Sequence, residues 1–508
     1  MSKSGAPIWQ SRDRPTRAAL GQDRECDIAI VGAGIVGLAL AHRLQAAGDV
    51  CLLEARRTGE QATGRSTAKL TAQHHLIYRR LARDIGTDGA RAYGRANMDA
   101  IRWAEEASAE QQGLFRRVPA YVYALDDSER SAVDHEAEVA AKLGLPARFA
   151  AQLDLPFRTS GAVVFDDQGA IDPIAFADHL VETLPANVTL YENSRIERID
   201  YGEPATLLTR GQRVRARWVV VATHLPTVPY GQYYAKAYPQ AHVLMAAPAP
   251  PSLPDGMFIS AGSPTRSFRK AAFAERDHIV ATGEAFKPGD VAAQRAAADG
   301  LERFLTEHFA VSDITHRWVN EDFTPMDDLP FIGAVSRSRP RLMVATGFNA
   351  WGLTTGIVAA DIIAAAIGGR SHPLADILAA DRLRPSSSAR RFVTENGRAG
   401  TRLVGDRLKL LVKSGDLPER PGQGTVVRRN GQAVAVSRDE GGALVAVSAR
   451  CTHLGCLVSW NDIDRTWDCP CHGSRFGATG KVRYGPATTP LAPVEIELLE
   501  KHRKEGGK

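Results

Sequence analysis

A chain of 508 residues is too long for one ordinary hydrophobic core, and 44% hydrophobic with 24% charged residues is a globular balance, so two or three domains are expected. Its 63 basic and 58 acidic side chains leave a formal net charge of +5, which gives no general attraction to nucleic acid. The most apolar stretch, residues 356–367, falls short of the roughly 20 residues of a spanning helix and contains Asp361, so no membrane span is expected.

Residues 1–25 read as an N-terminal extension. They carry Arg12, Arg14, Arg17 and Arg24 but no apolar centre, so no secretory or twin-arginine signal is expected and a cytoplasmic location is the default. A short β-rich run at 26–31 then leads into GAGIVG at 32–37. Helical spacing follows through Leu38, Leu40 and Leu44, and a second strand at 50–53 ends in Glu54. Strand, glycine turn, helix, strand and acidic terminus together form a dinucleotide fingerprint. Gly32 suits the tight turn, Ala33 and Gly34 bring backbone N–H groups to a pyrophosphate, Gly37 allows close helix–strand packing, and Glu54 is placed for a ribose.

Further along come GRSTAKLTAQH at 64–74, VVVATH at 219–224 with Ala222 at a strand end, DDLPFIG at 327–333 and TGFNAWGLTTGIVAADII at 346–363. Each is ordinary fold punctuation by itself. In this order they resemble the D-amino-acid oxidase and glycine oxidase superfamily of FAD enzymes over about residues 25–380. The resemblance implies that Gly32, Gly34 and Gly37 hold the FAD pyrophosphate and Glu54 the ribose. It further implies that Ser66, Thr67 and Lys69 follow the stretch from phosphate to flavin, that Ile196 meets the adenine, and that Trp351, Gly352 and Leu353 lie by the isoalloxazine.

The last part of the chain carries CTHLGC at 451–456 and CPCHGS at 469–474. Cys451, His453, Cys469 and His472 offer two thiolates and two imidazoles from two loops, a set that suits either a histidine-ligated [2Fe-2S] cluster or tetrahedral zinc. Zinc leaves Cys456 and Cys471 unexplained. Both boxes resemble the Rieske family, including the subgroup with an extra disulfide. The resemblance implies that the two cysteines hold one iron and the two histidines the other, that Cys456 and Cys471 are joined, and that Ser474 donates to a cluster sulfide. Rieske proteins of the highest potential have a tyrosine two residues after that serine, where this chain has Phe476, so a lower potential within the class is expected. The remaining cysteines, Cys26 and Cys51, are expected as buried thiols.

With both halves combined, the chain resembles bacterial FAD-dependent oxidoreductases carrying a C-terminal Rieske domain. The expected fold is an α/β FAD-binding domain on a Rossmann-like parallel sheet with an α+β substrate domain, followed by a small all-β Rieske domain. The expected boundaries are 26–380 for the oxidoreductase part and 423–508 for the Rieske part, with a linker at 381–422. Within 26–380, pieces 26–89, 161–229 and 321–380 bind FAD, and 90–160 and 230–320 form the substrate domain with a largely antiparallel sheet. Basic side chains between Arg382 and Lys409 read as a solvated linker.

Only one dinucleotide fingerprint is visible, which argues against reduction by a nicotinamide. The expected donor is therefore a small organic molecule, an amine or amino acid, and the expected outlet is an unidentified one-electron carrier or quinone reached from exposed His453 and His472. An electron-transfer or redox-sensing protein without turnover is the alternative. After His472 only His502 remains, short of the two histidines and a carboxylate of a mononuclear iron site, so oxygenase chemistry is not expected. For catalysis the sequence offers only Lys69, His74 and His75 near the flavin, and Arg266 and Arg269 as a carboxylate clamp.

Overall fold

The computed structural model describes residues 3–228, 230–384 and 416–495, together with Thr394. Most of the expected linker and its basic stretch lies outside the described residues.

Five strands, Leu342–Thr346, Arg213–Val221, Arg24–Val31, Val50–Leu53 and Val188–Tyr191, run parallel in that spatial order. Their apolar runs are buried along their length in the strands that begin at 50 and 342, as parallel strands covered on both faces require. The helices Ile35–Arg43 and Gly352–Ile367 cover one face, and Gly356 lets them approach: a Cβ there would sit 3.0 Å from Ile35. This is the expected Rossmann-like layer.

A ten-stranded sheet forms the second layer, antiparallel except where Met257–Ser260 pairs with Phe115–Ala124 and Lys3–Ser4 with His316–Pro325. Three of its strands cross the expected division of the chain. Lys69–Leu70, Gly161–Ile171 and His316–Pro325 all belong to this sheet, whereas the sequence places residues 69–70, 161–171 and 321–325 in the FAD-binding pieces. Their mixed burial gives them no sequence mark distinguishing one layer from the other. The N-terminal extension is also structural: Ile8 and Trp9 are fully buried, and Trp9 Nε1 donates to the Ser66 carbonyl at 3.0 Å.

The C-terminal part is all β. The strands Gly424–Arg429, Gln432–Arg438 and Leu444–Ser448 form one antiparallel sheet, and Ser459–Asn461, Thr466–Asp468, Arg475–Gly477 and Val482–Tyr484 form another. It is bound to the larger part through a buried polar network centred on Asp464. This carboxylate accepts from Arg65 at 2.6 Å, from Arg475 at 2.7 Å and from the Val319 N–H at 3.1 Å. Arg475 also donates to Asp468 at 3.0 Å, and Gln294 donates to Asn461 at 2.9 Å.

Candidate functional site: a shared cavity and a cysteine–histidine centre

The turn after the strand Arg24–Val31 has no room for a side chain at Gly32 or Gly37. A Cβ on Gly32 would lie 2.5 Å from the Ala222 carbonyl oxygen, one on Gly37 would lie 2.0 Å from the Gly32 oxygen, and Gly32 adopts φ +107°. Backbone N–H groups are thereby bared toward the space above the turn. Glu54 is fixed at its edge, accepting from the N–H groups of Ala33 and Arg56, both at 2.9 Å. Burial raises its pKa, and these two bonds oppose the shift.

One cavity runs from this turn across the second sheet. Gly32, Gly34, Glu54, Ser66, Thr67 and Lys69 line it, and so do Ile196, Ala222, Trp351, Gly352 and Leu353. Of the residues expected at a dinucleotide, only Ala33 and Gly37 stand behind the wall, where they shape the turn. A turn bare of side chains at Gly32 and Gly34, an acidic group at the second strand end and a helix start at Gly352 make a fit for FAD.

At the far end Lys69 Nζ donates to the Phe258 carbonyl at 2.8 Å and to Ser267 Oγ at 2.6 Å. Burial, and then the nearby Arg269, lower its pKa to about 7. Four other lining residues, His224, His242, Asn320 and Asp322, escape sequence reasoning. His224 and Asp322 are paired at 2.9 Å, and His242 is held neutral by burial. His242, Asn320 and Asp322 are isolated polar residues within strands and carry no spacing signal, and His224 closes the VVVATH run in the turn after its strand with nothing there to mark it as lining a cavity.

The expected carboxylate clamp is not assembled there. Arg269 is buried and spends its guanidinium on the carbonyls of Thr67 and Ile171, at 2.5 and 2.7 Å. Arg266 turns toward the carbonyls of Thr265 and Gly300 and lies over Phe304. Neither lines the cavity, because each answers unpaired carbonyl groups of the surrounding sheet and loops. His74 lies behind the wall: its ring stacks on Trp351 at 4.9 Å, its Nδ1 meets the Tyr93 hydroxyl at 2.7 Å, and burial lowers its pKa to about 3. His75 is likewise occupied, its Nε2 lying 3.1 Å from the Ser260 carbonyl.

The two cysteine–histidine boxes form facing loops, closed by Gly455 and Gly473 at φ +79° and +73°. Cys451 and Cys469 bring their thiols within hydrogen-bonding reach of each other, and the rings of His453 and His472 lie 5.0 Å apart. Cys456 and Cys471 are joined as a disulfide. The sulfurs of Cys456, Cys469 and Cys471 approach within 4.8 Å of one another. Two of these are bonded together, so this trio is not a ligand set, and the free donors are the two thiols and two imidazoles. That set fits a [2Fe-2S] cluster with mixed ligation. Ser474 is fully buried, its Oγ accepting from the Ala487 N–H at 3.0 Å, and Phe476 is buried beside it.

The imidazoles are half-buried, contrary to the expectation of an exposed pair. Tyr234 of the larger part packs edge-on against both, at 5.0 Å from His453 and 5.4 Å from His472. Leu454, between them in sequence, is an exposed apolar side chain at 51%.

Fold and site thus define a flavoprotein oxidoreductase joined to an iron–sulfur module. Residues 27–366 match the FAD dependent oxidoreductase family and residues 408–495 the Rieske [2Fe-2S] domain, and the chain belongs to the first family with the second domain fused to it. YhfW of Bacillus subtilis (strain 168), a Rieske 2Fe-2S iron-sulfur protein by name, is 31% identical over 497 residues, covering 96% of this chain and 97% of YhfW. The cytochrome b6-f complex iron-sulfur subunit of Chlorobaculum thiosulfatiphilum is 46% identical over 86 residues, 17% of this chain and 46% of that one. Among solved structures, glycine oxidase from Geobacillus kaustophilus aligns with a TM-score of 0.57 at 18% identity, covering 71% of this chain and all of that one. L-proline dehydrogenase from P. horikoshii aligns at 0.59 and 16% identity, covering 71% and 98%. The chain is therefore an enzyme with FAD and a [2Fe-2S] cluster as its cofactors.

Proposed function

We propose that this protein is a dehydrogenase that oxidises a small amine or amino acid at the flavin end of the cavity and passes the electrons through the Rieske centre to an external one-electron carrier or quinone. The observation that carries the proposal is the wall of the cavity: Arg483, Tyr484, Gly485 and Thr488 of the Rieske domain line it alongside the dinucleotide turn. Fold relatives that act on glycine and L-proline support the substrate class.

When bound, FAD takes a hydride from carbon and the cluster exchanges single electrons. The residues of the chain supply the setting. Trp351, backed by His74, makes a rigid apolar wall that excludes water. His242, held neutral by burial with its Nδ1 at the Gly283 carbonyl, offers Nε2 as a hydrogen-bond acceptor for a substrate N–H, and Lys69 Nζ is a hydrogen-bond donor for a carboxylate. Tyr234 packs on both imidazoles, so the two histidines that would hold the cluster face the oxidoreductase part.

The test is anaerobic addition of an amine and amino-acid panel to the holoprotein. Flavin bleaching followed by the electron paramagnetic signal of a reduced Rieske cluster is expected with at least one compound. Bleaching without that signal would refute internal transfer, and no bleaching with any compound would leave redox sensing without turnover as the function.

A further inference from the structure

Three arginines from two domains converge on one mouth of the cavity. Arg56 follows Glu54 at the end of the second parallel strand, Arg195 precedes Ile196, and Arg483 comes from the Rieske strand Val482–Tyr484; all three line the cavity. The arrangement tightens across the domain boundary, since Arg195 donates to the Val482 carbonyl at 3.3 Å. Like charges repel: Arg483 opposes the charged form of Arg56, and Arg56 opposes that of Arg195, in each case adding to the effect of burial. Glu60, 3.5 Å from Arg56, and Glu54, which also accepts from two backbone N–H groups, favour the charged form of Arg56, and Glu54 and Glu197 favour that of Arg195, while Arg483 brings a further positive charge from the Rieske side. A cluster of guanidiniums gathered at a cavity in this way calls for an anionic ligand.

The position says which anion. Arg56 and Arg195 flank the positions of ribose and adenine, and the ring of Tyr484 lies 5.6 Å from that of His224, just past the strand end that closes over Gly32. We propose that the Rieske domain completes the FAD site, with Arg483 binding the adenosine diphosphate half of the cofactor opposite Arg56 and Arg195, and the Tyr484 ring walling it in. The flavin cofactor is then held by both domains, and the Rieske domain cannot leave its seat without opening the dinucleotide site. This assignment is independent of the substrate and of internal electron transfer, so it stands or falls separately from the proposed function.

The experiment uses the full chain, deflavinated and then titrated, with tryptophan or flavin fluorescence as the readout and no turnover. Arg483 is exposed at the mouth, so its substitution leaves the folded core intact. Arg483→Gln is expected to weaken FAD about tenfold, the effect of one charge-assisted hydrogen bond, and Arg483→Glu to weaken it further. Binding of ADP should weaken in parallel while that of riboflavin stays unchanged, a pattern that general loosening of the domains would not produce. Iron content and the Rieske paramagnetic signal should match the unsubstituted protein. Arg195→Gln serves as the oxidoreductase-side counterpart and should weaken FAD comparably. The proposal is overturned if both Arg483 variants bind FAD and ADP within twofold of the parent, or if riboflavin affinity falls as much as that of ADP.

Discussion

Lys69 is the side chain whose charge state the fold alters most usefully. Its ammonium is buried beside Arg269 and holds only neutral acceptors, which lowers its pKa from 10.5 to about 7. The unfolded chain then binds more protons than the folded one between about pH 7 and pH 10, so this group makes stability rise with pH across that window. Lys69→Met loses two hydrogen bonds but also the buried charge. Its stability relative to the parent should therefore be most favourable near pH 6 and worsen by a few kcal/mol as pH rises toward 9, since one proton bound differently changes stability by about 1.4 kcal/mol for each step of one in pH. Thermal midpoints of both proteins across that range check this; a pH-independent difference would show that Lys69 titrates normally. Phe476 poses a second residue-scale question. It is fully buried, and the resemblance to Rieske proteins with a tyrosine at this place implies that a phenolic hydroxyl here would add a donor toward a cysteine of the centre. A hydrogen bond worth about 1 kcal/mol corresponds to roughly 40 mV for one electron, so Phe476→Tyr is expected to raise the Rieske potential by an amount of that order in protein-film voltammetry.

The two cysteine–histidine loops show how two similar elements take different burdens. Gly455 and Gly473 adopt almost the same left-handed conformation, φ +79° and +73°, yet a Cβ on Gly455 meets nothing within 4 Å, whereas one on Gly473 would fall 1.9 Å from Glu321 Oε1 and 3.0 Å from Pro239. The same substitution at both positions therefore separates backbone strain from domain contact. Gly455→Ala should cost roughly 1 kcal/mol of Rieske-domain stability. Gly473→Ala should cost more and also lower the temperature at which the two domains separate; equal effects in calorimetry would mean that Gly473 serves its own loop alone. The glycines, cysteines and histidines of these loops are legible in the sequence because ligand chemistry fixes type and spacing within a few residues, and the dinucleotide turn is legible for the same reason. Residues joined across the fold are not. Asp322 meets His224, and Tyr234 meets two imidazoles more than two hundred residues away. A residue such as Arg269 reads as a ligand clamp although its guanidinium is taken up by the carbonyls of Thr67 and Ile171. Strand membership fails similarly at Gly161–Ile171, since alternation tells which face is buried but not which sheet receives the strand.

At the scale of the whole molecule, the seat of the Rieske domain decides whether cavity and cluster act together. Two ion pairs between the same two parts differ sharply in their setting. Asp464 and its partners Arg65 and Arg475 are nearly closed off, with side chains 4%, 12% and 4% exposed, while Arg295 and Asp462 are 69% and 42% exposed. Asp462→Asn should change stability by no more than about 1 kcal/mol, as an exposed pair is screened by water and salt. Asp464→Asn keeps the side-chain volume but leaves Arg65 facing a neutral amide in a buried place and deprives Arg475 of one of its two carboxylates, a loss of about 3 to 5 kcal/mol. Because Arg65 belongs to the oxidoreductase part and Arg475 to the cluster module, that loss falls on the junction. The expected result is earlier release of the Rieske domain on heating, at unchanged iron content, and slower appearance of the reduced-cluster signal after anaerobic photoreduction of the flavin. If Asp464→Asn releases the domain but transfer keeps its rate, electrons do not depend on this docked arrangement, and the contact of Tyr234 with His453 and His472 is structural packing rather than the approach by which the cluster is filled.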